Sequence, residues 1–322
     1  MHDPGTLLKI LRGGTHRIFL QAHNFPDHDA VAASFALRDL LRREGIDARI
    51  IYEGEIERNS LRTMIEKLGI DIQPAANFDL RPEDYIVVVD GCKGNKNVTD
   101  LIGEEVAVID HHEVVSPEDV RYVDIRTHYG STCTIIYTYF RNLRREISRS
   151  VATAMLIGLN MDTALMTRGV SPADLQAYAD LYVAADTTLV NSILRNQVQT
   201  RDLAFYRQAL DAVRVNQSFA FCYFPDGCNQ NLLGMLGDFF LTLQEVDFVA
   251  LCAHNGRRIN FSLRSERNEW NCSDVIQQVL DGIGFGGGHA ELAGGMMPDV
   301  TLFNKSEIES RFRSALGLSA PV

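Results

Sequence analysis

The stretch Val108-Ile109-Asp110-His111-His112-Glu113 places an aspartate and two adjacent histidines directly after a short apolar run. Three other acidic clusters have the same setting: His23-Asn24-Phe25-Pro26-Asp27-His28-Asp29 after RIFLQA, Asp90 at the end of YIVVVD, and Asp162 at the end of MLIGLNMD. A buried strand of a parallel sheet delivers its last residue to the carboxyl edge of the sheet, where open α/β folds bind ligands. Four chain segments can therefore converge on one edge, with the side chains of a metal site.

Outward from these clusters, apolar strand-like runs (17–22, 48–52, 85–90, 106–109) alternate with helix-like segments (29–44, 58–68, 131–144, 150–160). The alternation predicts βαβ units and a mainly parallel sheet. After Asp162 a long helical stretch runs from SPADLQ to LDAV with few turn signals. From Phe219 a second, smaller α/β unit is expected: FAFCYF as a strand, a helix near 230–242, then VDFVALCAH and RINFSLRS as a hairpin joined at Asn255-Gly256. The resulting organisation is a first domain over 1–185, a helical linker over 186–214 and a second domain over 215–322.

Each cluster also has a plainer reading. Pro26 forbids helix just before Asp27, so Asp27 and Asp29 sit in a rigid loop where either can cap the helix AVAASFALRDLL. Gly91 after Asp90 suits a sharp turn, and Asp162 with Thr163 suits a helix end. Consecutive residues of an extended segment point in opposite directions, so at most one of His111 and His112 is expected to face a given ion. Four such clusters, each at the end of an apolar run, outweigh the separate readings.

Composition limits the alternatives. The chain has 322 residues, 46% of them hydrophobic, enough for two cored domains. No run approaches the ~18 apolar residues of a membrane helix, so no membrane partner is expected. The beginning MHDPGTLLKILRGG lacks the layout of a secretory signal and reads as an amphipathic helix. The six cysteines, at 92, 133, 222, 228, 252 and 272, form no CxxC pair. They read as reduced thiols of a cytoplasmic protein, and zinc held by cysteine is not expected. A net charge of −11 argues against binding long nucleic acid through a broad basic face, but leaves a small anionic substrate open.

In HNFPDHDAVAAS, VVVDG, VIDHHE and GLNMDT, in that order, the chain resembles the DHH phosphoesterase superfamily, on its nanoRNase and RecJ-like branch. FSLRS at 261–265 and GFGGGHAELAGG at 284–295 resemble the DHH-associated substrate domain. The resemblance implies an active site in a cleft between the two domains and two manganese ions, with magnesium as the other choice. His23, Asp27 and Asp90 would bind one ion; Asp29, Asp90, His111 and Asp162 would bind the other, with Asp90 bridging. His112 would contact the substrate phosphate or assist the leaving oxygen, and Asp110 would orient the histidines. Oxygen and imidazole donors without thiolate suit these metals, and paired divalent ions stabilise the attacking and leaving oxygens of an in-line displacement.

In the second domain the resemblance implies a phosphate-binding loop of Gly286, Gly287, Gly288 and His289, with Arg264 forking onto the same anion. The chain departs from the usual loop in two places: Phe285 precedes three glycines, and Leu292 stands for the first alanine after the histidine. The implied activity is hydrolysis of short RNA oligonucleotides from one end, and of 3′-phosphoadenosine 5′-phosphate. The other readings are cleavage of cyclic di-adenylate or its linear product, RecJ-like degradation of single-stranded DNA, pyrophosphate or polyphosphate hydrolysis, and nucleotide sensing without turnover. The expected partner is a short RNA or small nucleotide; no residue pattern decides between monomer and homodimer.

Overall fold

A computed structural model describes residues 3–14, 16–56, 58–195 and 198–319. The chain divides into two compact units, Met1–Gln197 and Val198–Val322.

The first unit carries β1 (Ile18–Ala22), β2 (Arg49–Tyr52), β3 (Ile72–Pro74), β4 (Tyr85–Val89), β5 (Glu104–Asp110) and β6 (Tyr122–Ile125), with α1 (Pro4–Leu11), α2 (His28–Arg43), α3 (Asn59–Leu68), α4 (Thr132–Asn142), α5 (Arg149–Asp162), α6 (Pro172–Ala184) and α7 (Thr187–Arg195). The six strands are all parallel, in the order β3-β2-β1-β4-β5-β6. Strand order reverses between β1 and β4, which is the topological switch point where such sheets bind ligands. IFLQA and YIVVV are buried throughout because both sheet faces are covered. Residues of all seven helices pack on one face, around Leu20, Val87 and Ile109. On the other face Phe19, Val88 and Val108 pack against loop residues such as Cys92 and Val98. Full burial of such a side chain stabilises the fold by roughly 1.5–3 kcal/mol.

The second unit contains α8 (Leu203–Ala212), β7 (Arg214–Asn216), β8 (Phe219–Phe224), α9 (Gln230–Leu241), β9 (Phe248–Asn255), β10 (Arg258–Ser265), α10 (Cys272–Leu280), β11 (Phe285–Gly288), β12 (Leu292–Met297) and α11 (Lys305–Ala315). Its mixed sheet runs β11-β12-β10-β9-β8-β7, with β8 and β9 parallel and the other pairs antiparallel. α10 and α11 cover one face through Ile276 and Phe312, while α8 and α9 cover the other through Ala209 and Leu236.

The α/β class and the main strands follow the sequence reading, and several local features differ. β3 and β6 are too short to register as periodic runs. The interval 186–214 divides between the units: α7 packs Val190 and Ile193 on the first core, and α8 packs Ala209 on the second. The hairpin turn is Gly256-Arg257, closed by the pair Asn255 and Arg258, with Gly256 left-handed at φ 69°. Asn255 instead bonds the backbone of Cys228 through its side chain.

Candidate metal centre

Three of the four clusters leave the carboxyl ends of β1, β4 and β5, flanking the switch point, and the fourth ends α5. Asp27 caps α2, its Oδ1 accepting the amides of Asp29 and Ala30 at 3.0 and 3.1 Å. The helix begins at His28, so Asp29 lies inside its first turn and not in the loop expected for it. Asp90 follows β4 in the left-handed conformation, φ 61°, which aspartate adopts more readily than most residues. Its amide donates to Ile109 O at 2.9 Å, tying the ends of β4 and β5 together.

Asp90 is central and buried. Its Oδ2 lies 3.8 Å from His23 Nε2, and its Oδ1 lies 3.6 Å from His111 Nε2 and 3.9 Å from His112 Nδ1. The two oxygens thus face different imidazoles. His23 Nε2 is also 3.8 Å from Asp27 Oδ1, and His111 Nε2 is 3.0 Å from Asp162 Oδ2. Donor atoms of His23, Asp27 and Asp90 lie within 4.8 Å of one another, as do those of Asp29, His111 and Asp162 and those of Asp90, His111 and His112. The six residues expected to bind metal therefore occupy one neighbourhood; His23, Asp27 and Asp90 group as expected, whereas Asp29, His111 and Asp162 group without Asp90, which instead joins His111 and His112.

Both histidines of VIDHHE face Asp90, contrary to the alternation expected of an extended chain. β5 ends at Asp110, and the backbone turns there. Asp110 Oδ1 accepts the amides of His111 and His112 at 2.8 and 3.2 Å and makes a 2.8 Å bond with His112 Nδ1. The two rings are 4.2 Å apart, centroid to centroid, at 55°. His111 Nδ1 lies 3.1 Å from Tyr129 O, which leaves Nε2 turned towards the carboxylates. Arg126 holds that loop by pairing with Asp124 at 2.8 Å and bonding Tyr129 Oη at 3.2 Å.

The electrostatics fit a cation. Burial raises the pKa of Asp90 to about 6, with Asp27 and Asp162 adding to the rise against the histidines. Asp29 is pushed well above the carboxylate range by burial and by Asp90 and Asp162. Burial would lower His23, but Asp27 and Asp90 outweigh it and raise it to about 10; Asp162 and Asp90 likewise raise His111 against its burial. Burial disfavours ionised Asp27 and Asp110, yet His23 lowers the first and His112 the second. Clustered buried carboxylates facing imidazoles, all oxygen and nitrogen donors, suit a divalent ion of the manganese or magnesium type. Such an ion would replace the protons that otherwise hold the cluster together.

In the second unit the expected glycine loop is a strand. Gly286, Gly287 and Gly288 belong to β11, at the edge of the sheet, paired with Gly295, Gly294 and Ala293 of β12. Their smallness serves packing on one face: a Cβ on Gly286 or Gly295 would approach Ile276 Cγ1 to 2.6 or 2.8 Å. On the other face a Cβ on Gly287 would meet nothing within 4 Å. The pairing of β10, β12 and β11 puts Arg264, Ser262, Gly294 and Gly287 on that second face. Arg264 donates to Asp238 Oδ1 at 2.5 Å, Leu263 O at 2.9 Å and Ser262 Oγ at 3.2 Å, lying against Gly234 and Gly237 of α9. His289 opens the turn after β11, its amide bonded to Leu292 O at 2.7 Å.

Sequence reasoning missed two residues, Thr132 and Tyr129. Thr132 donates its hydroxyl to Asp90 Oδ1 at 2.8 Å and its amide to Asp29 Oδ2 at 2.6 Å. The only sequence signal for it is Ser131, a helix-capping residue type, directly before it.

The DHH family N-terminal domain matches residues 17–159, and the DHHA1 domain matches residues 216–316. The chain belongs to the DHH phosphoesterase superfamily. An uncharacterized protein of Methanocaldococcus jannaschii is 28% identical over 282 residues, which cover 87% of this chain and 58% of that protein. A probable manganese-dependent inorganic pyrophosphatase of Streptococcus mutans is 26% identical over 193 residues, 54% of this chain and 62% of that protein. The chain thus spans less than two thirds of either relative's length. A crystal structure of an exopolyphosphatase-related protein from Bacteroides fragilis shares the fold, with a TM-score of 0.76 and 18% identity over 94% of this chain and 92% of that one.

Proposed function

We propose that this protein is a metal-dependent phosphodiesterase that hydrolyses short RNA oligonucleotides from one end, in the manner of a nanoRNase. Bound divalent ions would supply positive charge for the attacking and leaving oxygens of an in-line displacement. His23, Asp27 and Asp90 would hold one, and Asp29, Asp90, His111 and Asp162 the other. With Nδ1 engaged by Asp110, His112 would present Nε2 to the phosphate or the leaving oxygen. In the metal-free protein Asp110 and Asp90 raise its pKa against its burial.

The observation that carries the nucleotide reading is the second face of the mixed sheet. Gly287 and Gly294 leave bare backbone there beside Arg264, and Phe285, half exposed, continues the face at the sheet edge. A terminal phosphate could meet Arg264, whereas condensed phosphate chains call for several cations. The similarity to a probable manganese-dependent inorganic pyrophosphatase favours a second reading, hydrolysis of inorganic pyrophosphate.

The test is manganese-dependent hydrolysis of a panel: a 5′-labelled RNA ladder, 3′-phosphoadenosine 5′-phosphate, linear and cyclic di-adenylate, single-stranded DNA and pyrophosphate. Preference for the shortest RNAs supports the proposal. Turnover of pyrophosphate alone replaces it with the second reading, and tight nucleotide binding without any turnover makes the protein a sensor.

A further inference from the structure

The amino end of α4 is already occupied from within the chain. Both oxygens of Asp29 accept backbone amides there: Thr132 N to Oδ2 at 2.6 Å and Cys133 N to Oδ1 at 3.1 Å. The same Thr132 gives its hydroxyl to Asp90 Oδ1 at 2.8 Å. One buried residue therefore touches an aspartate of the His23, Asp27 and Asp90 group and one of the Asp29, His111 and Asp162 group.

The neighbouring elements are shaped around this contact. Gly158 lies within α5, where glycine is unfavourable by roughly 1 kcal/mol relative to alanine. A Cβ at Gly158 would stand 2.9 Å from Cys133 Sγ, 3.0 Å from Asp29 Cα and 3.1 Å from Asp29 Oδ1. Its bare backbone is what lets α5 pass the α2 and α4 ends at this distance. The start of α4 is in turn anchored by Asp174, which is fully buried. Asp174 accepts from Gly130 N at 2.9 Å, Thr134 Oγ1 at 2.5 Å, and the amide and hydroxyl of Ser171 at 2.8 and 2.5 Å.

We infer that Thr132 is a positioning residue: its hydroxyl and amide set the relative placement of Asp29 and Asp90, and thereby the affinity of the site for divalent cations. A hydroxyl that donates to one oxygen of Asp90 directs that carboxylate's remaining lone pairs at the imidazole side. The two amides do the same for Asp29. Partners of this kind typically change metal affinity about 10- to 100-fold when removed. The inference rests on the proposed ligand assignment, which the experiment tests separately.

The experiment is a Mn2+ titration of wild type, Thr132→Val, Thr132→Ser and Gly158→Ala, followed by electron paramagnetic resonance of free and bound ion, with circular dichroism and thermal unfolding as the check on folding. Thr132→Val keeps the shape and removes the hydroxyl. It is expected to weaken Mn2+ binding at least ~10-fold with an unchanged fold, while Thr132→Ser stays close to wild type. Gly158→Ala is expected to weaken binding by pushing on Asp29. Equal Mn2+ affinity in wild type and Thr132→Val overturns the inference alone, as does equal impairment of the serine and valine variants. A wild-type protein that binds no Mn2+ overturns the ligand assignment and this inference together. Should the valine variant fail to fold, Thr132→Ala is judged by the same criteria against the serine rescue.

Discussion

His111 Nε2 lies 3.0 Å from Asp162 Oδ2, so the residue that follows β5 meets the last residue of α5. With Nδ1 engaged by Tyr129 O, the ring cannot turn away without losing a second bond. This contact closes the group of donors that includes Asp29.

His111→Ala and Asp162→Ala are therefore expected to lose Mn2+ binding by more than the ~10- to 100-fold typical of removing an outer partner of a ligand, and to lose hydrolysis with it. Isothermal titration with Mn2+ alongside the substrate panel checks this. Unaltered binding in either variant would remove that residue from the site.

Metal binding should release protons at neutral pH. The His23 imidazole, raised to about 10, is protonated at pH 7 in the metal-free protein, and a ligand must be unprotonated. Asp90, raised to about 6, adds proton release at and below that pH. Mn2+ affinity is thus expected to rise with pH, most steeply on the acid side. Titration calorimetry at pH 7 in buffers of different ionisation enthalpy measures the protons released; a value of zero contradicts the electrostatics described above.

Arg264→Ala is expected to raise KM about 10- to 100-fold with little change in kcat, the equivalent of the roughly 1.5–3 kcal/mol of a charge-assisted hydrogen bond. Steady-state kinetics on a short RNA decides it. A collapse of kcat at constant KM would place Arg264 at the reacting atoms instead.

The glycine strand makes a sharper distinction. Gly286→Ala drives a methyl into Ile276 and Gly294 O, at 2.6 and 2.8 Å, and is expected to destabilise the second unit by about 1–3 kcal/mol. Gly287→Ala points into open space and should stay within roughly 0.5 kcal/mol of wild type. Thermal unfolding compares them. Weaker nucleotide binding in a stable Gly287→Ala variant would identify that face as the one the substrate meets.

Much of the site was legible in one dimension. Apolar runs ending in Asp90 and Asp110, and a strand-loop-helix passage carrying His23, Asp27 and Asp29, require only local rules: buried parallel strands are continuously apolar, and their carboxyl ends face one edge. The short strands β3, β6 and β7 escaped because three or four residues carry too little periodicity, and the strand character of FGGG escaped because three glycines carry no side-chain pattern; its conformation is imposed by pairing with β12. The shared direction of His111 and His112 escaped because β5 stops at Asp110, and where a strand stops depends on its neighbours' hydrogen bonds.

By itself, then, the sequence determined the α/β class, the residues proposed as donors and the strand ends that precede His23, Asp90 and His111, because burial periodicity and residue chemistry are local. Only the tertiary structure decided that Asp90 turns its two oxygens to different imidazoles, that Thr132 ties Asp29 to Asp90, and that Gly158 makes room for Asp29 and Cys133. Those relationships join β1, β4, β5, α2, α4 and α5 across long stretches of chain, and contacts between remote segments exist only once the sheet and its covering helices have packed.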